Sequence, residues 1–286
     1  IEWLKNIEKL IANSKNIKIL KNTLVTTYNF SDSLIALEDK FVGESPKIHR
    51  PELTLHKIRT KQTILANGHI ERFISFRNND LPGIMLAGSF EKYIHRYGIV
   101  PNIKPVIFTN NSSSSSLIKS LISLNCIPSA YVDIREKKYV EKQTLKFLSD
   151  KNIPAYFSSE IEGCDGNKKV EKIFIRDVNN KITKIKASMI CVSGGINPDV
   201  NLFTQSKGLI SWDENYLTFK PKVPFQNTIT LGSASGNFNF QKTNEEINNK
   251  LDFLNLNDSK TKLKTSFSDD FNIQELWASK NLKNFL

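Results

Sequence analysis

The sequence predicts an α/β protein built on a doubly wound parallel sheet, and three observations carry that reading. Between Lys104 and Ser158 the apolar pattern alternates in period: Pro105–Thr109 is strand-like, Ser114–Leu124 helical, Ser129–Ile134 strand-like, Val140–Leu148 helical and Pro154–Phe157 strand-like. Such a βαβαβ run needs crossover helices, and these lay its strands parallel in one sheet. The 286 residues are 39% hydrophobic and 24% charged, with only 12 Gly and 10 Pro, which supports a packed core and excludes a disordered or collagen-like chain. Finally, three strand-like runs each end in a glycine turn, Ala66-Asn-Gly68, Ser193-Gly-Gly195 and Gly232-Ser-Ala-Ser-Gly236. Glycine lacks a Cβ and accepts positive φ, so such turns allow a phosphate or ring to approach the backbone closely.

The elements follow in order. Residues 1–11 place Leu4, Ile7, Leu10 and Ile11 on one face of an amphipathic helix. Ile17–Leu20, Thr23–Tyr28 and Ser33–Glu38 read as a strand followed by an antiparallel meander, and 42–53, with Gly43, Pro46 and Pro51, as a loop. Leu55–Thr60 and Gln62–Ala66 are two further strands. Phe90, Tyr93 and Ile94 set a helix over Met85–Tyr97, which Gly98 stops. After the βαβαβ run, Val170–Val178 and Lys181–Ile185 flank Asn179-Asn180 as a hairpin, and Met189–Val192 and Thr228–Leu231 are strands. Residues 245–254 read as a helix and the last thirty as polar and loosely patterned.

Composition narrows the chemistry. The net charge is +11, but only seven of the 40 cationic residues are arginine and the lysines are scattered from Lys5 to Lys283, so the excess reads as A/T-rich codon usage rather than a nucleic-acid surface. Cys126, Cys164 and Cys191 form no C-x-x-C pair, which points to a cytoplasmic protein without disulfides. No apolar run approaches the roughly 18 residues of a membrane span, so no membrane partner is expected. His49, His56, His69 and His95 make no H-E-x-x-H and share no helical face, so no metal site is expected. Ala234 stands where a G-x-S-x-G elbow needs its serine, and no catalytic acid, base or nucleophile is assigned. His69, Glu71 and Arg72 read as polar anchors of the turn after a strand, the alternative being that Glu71 and Arg72 pair with each other or meet a partner subunit. In the βαβαβ unit the loop Asn110–Ser116 contains no glycine, although Asp133 stands where a ribose-binding acid would, so this unit is expected to be structural and to bind no nucleotide.

Several motifs together are more specific. Ala66-Asn-Gly-His-Ile-Glu-Arg72 followed by Asn78-Asn-Asp-Leu-Pro-Gly-Ile-Met-Leu-Ala87 resembles the A-T-G-A-x-E-R-P and N-D-x-P-G-V-M-L-A block of the alpha subunit of heterotetrameric sarcosine oxidase. Tyr93–Gly98, Phe108–Asn111, Val132–Arg135, Val192–Pro198, Leu202–Ser206, Trp212-Asp213 and Gly232–Gly236 follow in that family's order. Asn67 and Phe73 depart from the pattern, where Thr and Pro are usual, and Phe238 and Phe240 are bulkier than it.

The resemblance implies a two-dinucleotide-binding-domain flavoprotein-like, Rossmann-like FAD/NAD(P)-binding fold. It implies a discontinuous first domain, 1–101 and 188–255, interrupted by a second Rossmann-like domain with a hairpin at 102–187. Residues 256–286 would link to an aminomethyltransferase-like, tetrahydrofolate-binding domain. It also implies that the chain is an internal fragment, preceded by the strand and G-x-G-x-x-G loop that hold the pyrophosphate of NAD. Cofactor contacts left here would be Val25, whose backbone meets the adenine; the turn residues Ala66, Gly68, Gly232 and Ser233; and Phe238 and Phe240. FAD in the beta subunit and FMN at the alpha/beta interface would carry the chemistry of a complex with beta, gamma and delta subunits. That chemistry is oxidative demethylation of sarcosine to glycine, with peroxide formation and one-carbon transfer to tetrahydrofolate. The alternatives are an alpha subunit of a proline, opine or glycine dehydrogenase, or a nucleotide-bound assembly subunit without turnover.

Overall fold

The computed structural model describes residues 2–40, 53–99, 102–251 and 272–279. The chain divides into two compact units, one comprising Ile1–Leu65, Val200–Leu209 and Lys222–Ile229, the other Ala66–Asp199, Ile210–Pro221 and Thr230–Leu286.

The first unit begins with α1 (Glu2–Asn13), followed by β1 (Thr23–Asn29), β2 (Ser33–Asp39), β3 (Leu53–Arg59) and β4 (Thr63–Leu65). β1 and β2 form the expected antiparallel meander, with a bulge between Val25 and Thr27, and β3, expected as a separate strand, pairs with β2 to extend it. Its inner face supplies Tyr28 and Leu34, which pack with Leu65 and Phe203. The Tyr28 hydroxyl is 2.7 Å from Thr228 Oγ1, so this buried phenol is satisfied. Ile17–Leu20, expected as a strand, is irregular: among the described residues no strand pairs with it, and Ile17 and Ile19 stay exposed. Of the expected loop 42–53, only Leu53 lies among the described residues, and it begins β3.

The second unit opens with β5 (His69–Glu71), β6 (Ile84–Leu86), α2 (Ala87–Tyr97), β7 (Val106–Thr109), α3 (Ser114–Ser123), β8 (Ala130–Asp133), α4 (Lys142–Asp150) and β9 (Ala155–Phe157). Next come β10 (Ser159–Asp165), β11 (Lys172–Asp177), β12 (Ile182–Lys186), β13 (Ile190–Ser193) and β14 (Ile196–Pro198). A parallel five-stranded sheet runs β6-β13-β7-β8-β9. Successive side chains of a strand point to opposite faces, and the core follows that rule. Val106, Phe108, Ala130, Val132, Ile190 and Val192 join one cluster, completed by Ile161, Ile173 and Ile175 of the antiparallel sheet β10-β11-β12. Ile107, Tyr131 and Cys191 face the other way, onto Phe90 and Ile94 of α2, Leu117, Ile118 and Leu121 of α3 and Leu148 of α4. The unit is therefore three layers deep, helices, parallel sheet, antiparallel sheet; the expected doubly wound arrangement is not what forms, because the β10–β12 sheet rather than helices covers the second face. Each fully buried aliphatic or aromatic side chain contributes roughly 1.5–3 kcal/mol.

The expected insert, 102–187, is narrower than the sheet it builds, because β6 and β13 lie outside those bounds yet form two of its five strands. Met85 and Leu86, expected to open a helix, belong to β6, whose pairing with β13 outweighs their helical spacing. Gly98 ends α2 as expected, at φ 64° with its N–H bonded to the Ile94 carbonyl.

The chain returns to the first unit at α5 (Asn201–Gln205), whose Gln205 side chain accepts the Tyr28 N–H at 3.1 Å. β15 (Leu209–Asp213) pairs with β16 (Thr218–Val223), and β17 (Thr228–Thr230) pairs with β4. A 3-10 turn over Gly232–Ser235 leads to α6 (Phe240–Leu251), a helix expected only from residue 245. Of 256–286, expected as a linker, Asn272–Ser279 is described and is hydrogen-bonded into the second unit, to Asn110 and Ser75 among others. Among the described residues no helix is long and apolar enough to cross a membrane.

Candidate functional site

Two of the three glycine turns meet. The first, Ala66-Asn67-Gly68, is fixed beside β14: Asn67 Nδ2 donates to the Asp199 carbonyl at 2.8 Å, and the Asp199 N–H donates to the Gly68 carbonyl at 3.1 Å. The antiparallel pair β5–β14 continues from it. Gly68 takes φ +89°, and a Cβ there would meet nothing within 4 Å, so its face is open. The second turn lies between Leu231, in extended conformation, and Gly236 at φ +85°. Gly232 takes φ +62°, and a Cβ there would meet only the Thr243 side chain, from 3.4 Å.

An open cavity of about 430 Å³ lies between the turns. Ala66, Gly68 and His69 line one side, Gly232, Ser233 and Asn237 another. Ile196, Leu231 and Phe238, with Thr243 and Ile247 of α6, make the rest largely apolar. Phe238 is held edge-on by His69, ring centroids 6.0 Å apart, and by Tyr216 at 5.0 Å. Partial burial, with help from Lys92, lowers the His69 pKa, so the imidazole is neutral at pH 7.

The second turn is braced from α6. Glu246 Oε2 accepts the Gly232 N–H at 3.0 Å and lies 3.0 Å from Ser235 Oγ. Lys250 Nζ donates to Glu246 Oε1 at 2.7 Å and to the Thr230 carbonyl at 3.0 Å. Burial pushes the Glu246 carboxyl up, but Lys250, the Ser235 hydroxyl and the Gly232 N–H together hold it below the usual range, so it is charged at neutral pH. The turn closes on itself, with the Gly236 N–H bonded to the Ser233 carbonyl and the Asn237 N–H to the Gly232 carbonyl. A charged carboxylate already seated on the Gly232 N–H makes a poor phosphate cradle. Together with the apolar lining it suits an uncharged ring or sugar.

Of the residues expected to contact a cofactor, Ala66, Gly68, Gly232, Ser233 and Phe238 share this cavity. Val25 does not line it; it sits half-buried on β1 in the first unit, against the cluster of Tyr28 and Leu34. Phe240 opens α6, and its side chain lies outside the described residues. Sequence reasoning missed Ile196, Asn237, Thr243, Ile247 and the bracing Glu246. The available signal was the i, i+4 spacing of Thr243 and Ile247 and of Glu246 and Lys250.

The anchors after the first turn go to separate partners. Glu71 Oε2 accepts the Gly88 N–H at 2.8 Å and so caps α2, which has no capping side chain of its own. Burial raises the Glu71 carboxyl to about 7; the Gly88 N–H opposes this and Glu91 adds to it. Arg72 donates to the carbonyls of Gly194 (3.1 Å), Tyr216 (3.3 Å) and Leu217, and its guanidinium lies 4.5 Å from the Trp277 ring centroid. Burial lowers it to about 10, and it stays charged at pH 7.

This architecture is shared with solved FAD/NAD(P)-dependent oxidoreductases, and the chain has their Rossmann-like fold. T. acidophilum thioredoxin reductase matches 84% of this chain and 73% of its own with a TM-score of 0.56 and 15% identity. L-proline dehydrogenase from P. horikoshii matches 80% of this chain and 40% of its own, with a TM-score of 0.54 and 21% identity. More particularly, the sequence is similar to sarcosine oxidase subunit alpha. It is 27% identical to that of Corynebacterium sp. (strain U-96) over 246 residues and 28% identical to that of Rhizobium meliloti (strain 1021) over 238, in each case 82% of this chain. The chain spans about a quarter of the length of these relatives. No family model matches the sequence.

Proposed function

We propose that this chain is the nucleotide-holding part of an alpha subunit in a sarcosine oxidase-like oxidoreductase. One observation carries the reading: Ala66, Gly68 and Gly232, singled out by the glycine turns, and Ser233 and Phe238, singled out by resemblance, line one cavity though they lie far apart in sequence. Its lining suits the nucleoside portion of NAD. Gly68 and Gly232 leave room at the backbone, Phe238 and Ile196 offer apolar faces, and Asn237 and Ser233 offer hydrogen bonds. When bound, a dinucleotide supplies a ring that can carry hydride. The chain's residues bind and orient it, neutral His69 fixes Phe238, and Glu246 keeps the second turn rigid.

In this reading residues 1–101 and 188–255 belong to a discontinuous FAD/NAD(P)-binding-like domain, although the parallel sheet of the second unit recruits strands from both parts. Amine oxidation would take place in a beta subunit carrying FAD, with FMN at the shared interface and gamma and delta subunits completing the complex. The product would be glycine with hydrogen peroxide, and the one-carbon unit would pass to tetrahydrofolate in a domain following this segment. Three buried cysteines, none of them in a disulfide, agree with the reducing cytoplasm.

The test is to purify the full-length protein with its co-encoded subunits, identify nucleotides released on denaturation by mass spectrometry, and measure peroxide with sarcosine. NAD together with sarcosine-dependent peroxide supports the reading. Turnover of proline or another amine with no response to sarcosine removes the substrate, and a protein that releases no nucleotide removes the proposed role of the cavity.

A further inference from the structure

In an open parallel α/β sheet the ligand crevice lies beyond the C-terminal ends of the strands, where the strand order reverses. In the second unit that place is flanked by β7 and β13, with the N-terminus of α3 beside it. A dinucleotide there would need three things: free N–H groups at the helix start, glycines beneath the pyrophosphate, and a carboxylate with lone pairs free for the ribose.

Each is already committed to the protein. At the helix start, Asn111 Oδ1 accepts the Ser113 N–H at 2.9 Å, while Asn111 Nδ2 donates to the Ser193 carbonyl at 2.9 Å. At the tip of β13, a Cβ on Gly195 would stand 2.8 Å from Ile273 Cδ1 and closer still to the Arg72 guanidinium. Asp133, at the ribose position, is fully buried. Its Oδ1 accepts the Arg135 N–H (2.9 Å) and Nε (3.1 Å), and its Oδ2 accepts Arg135 Nη2 and the Tyr131 hydroxyl, both at 2.8 Å. Arg135 is itself fully buried, with its remaining donors on Ser112 Oγ (3.0 Å), the Asn111 carbonyl (3.1 Å) and the Asn272 carbonyl (3.0 Å).

The last of these partners belongs to the segment Asn272–Ser279. It is seated by an antiparallel bridge between Asn111 and Ile273 and by two bonds to Asn110, the Gln274 N–H donating to its carbonyl at 2.9 Å and its side-chain Nδ2 donating to the Gln274 carbonyl at 2.9 Å. Farther along, the Ser75 N–H donates to the Trp277 carbonyl at 3.0 Å and the Ser279 N–H to the Ser75 carbonyl at 2.7 Å.

We infer that the crevice of this second α/β unit is a docking surface for the chain's own segment 272–279, which it takes in place of a dinucleotide, with Arg135 as the residue that seats the peptide. The buried ion pair serves this role well: a desolvated guanidinium held by Asp133, with Glu141 3.9 Å from its Nη1, presents its other donors in fixed directions, and peptide carbonyls complete them. The inference is independent of what fills the cavity between the glycine turns.

Hydrogen–deuterium exchange on the full chain tests it. The peptide covering 272–279 is expected to exchange at least about a hundredfold more slowly than an unstructured chain, because three of its amides are bonded. NADH or NADPH in large excess is expected to leave that protection unchanged. Rapid exchange without nucleotide, or loss of protection when either nucleotide is added, overturns the inference. The double variant Asp133→Asn/Arg135→Gln is expected to exchange about tenfold faster at 272–279 with β7 and β8 peptides unchanged. If that variant does not fold, Asn110→Ala, which deletes one bond to Gln274, is expected to give a smaller acceleration confined to 272–279. Unchanged exchange at 272–279 in a folded variant counts against the inference.

Discussion

Glu71 is placed where ionisation works against the fold, and Glu71→Gln turns that into a measurable gain. In the unfolded chain the carboxyl titrates at its ordinary value of 4.5; in the folded chain burial raises it to about 7. A group raised in the folded state contributes its full stability below the unfolded value and loses it as pH rises through the folded one. The loss at pH 8 is about 3 kcal/mol, as an upper estimate. Glutamine removes the titration but keeps an amide oxygen for the Gly88 N–H, so the cap on α2 survives. Urea unfolding of wild type and variant from pH 5 to 8.5 should show near-equal stability at pH 5. The variant should gain progressively, reaching roughly 1–3 kcal/mol by pH 7.5. A variant less stable than wild type at pH 7.5, or a difference that does not change with pH, would refute the reasoning. It would mean that the α2 N-terminus and Lys92 hold the carboxylate charged.

Three further outcomes follow from the same contacts. Arg72→Met strands carbonyls of Gly194, Tyr216 and Leu217 and removes the cation from Trp277, so a loss of about 2–4 kcal/mol in chemical denaturation is expected, and Arg72→Lys should recover only part of it. Phe108→Ala leaves a void in the fully buried face of β7 and is expected to cost about 3–5 kcal/mol in the same assay. Ser233→Trp places a large ring into the cavity, so nucleotide released from purified protein should fall more than about tenfold while the melting temperature changes by only a few degrees.

The fold was legible where strands were long enough or buried enough to leave a period. β7, β8 and β13 are buried on both faces, and their unbroken apolar runs give them away. β5, β6 and β14 have three residues each, too few for any pattern, and they exist because a neighbouring strand pairs with them. β10 was hidden for a different reason. Its sequence, Ser-Glu-Ile-Glu-Gly-Cys-Asp, reads as a polar loop, yet Ser159 and Glu160 are buried, and Gly163 lets the strand pass where a Cβ would stand 2.8 Å from Arg77. Ile17–Leu20 shows the converse, a strand-like pattern that no strand among the described residues pairs with.

The candidate site was legible only in part, because the three glycine turns look alike in sequence and differ in what faces them. Gly68 and Gly232 face open space or a single threonine, and these two define the cavity. Gly194 and Gly195 carry the same local signature, but a Cβ on Gly194 would stand 2.8 Å from the Arg72 carbonyl, and one on Gly195 would strike the Arg72 guanidinium. Here glycine makes room for the protein's own backbone and for a buried cation rather than for a ligand. The deciding residue lies four positions after Gly68, in the very segment Ala66-Asn-Gly-His-Ile-Glu-Arg72 that supplies the open turn. One short stretch thus opens one glycine turn with Gly68, caps the first helix of the parallel sheet with Glu71 and fills another glycine turn with Arg72. Its order is tightly constrained for that reason: shifting the register by one residue would exchange the inward and outward faces of β5 and misdirect both charged side chains at once.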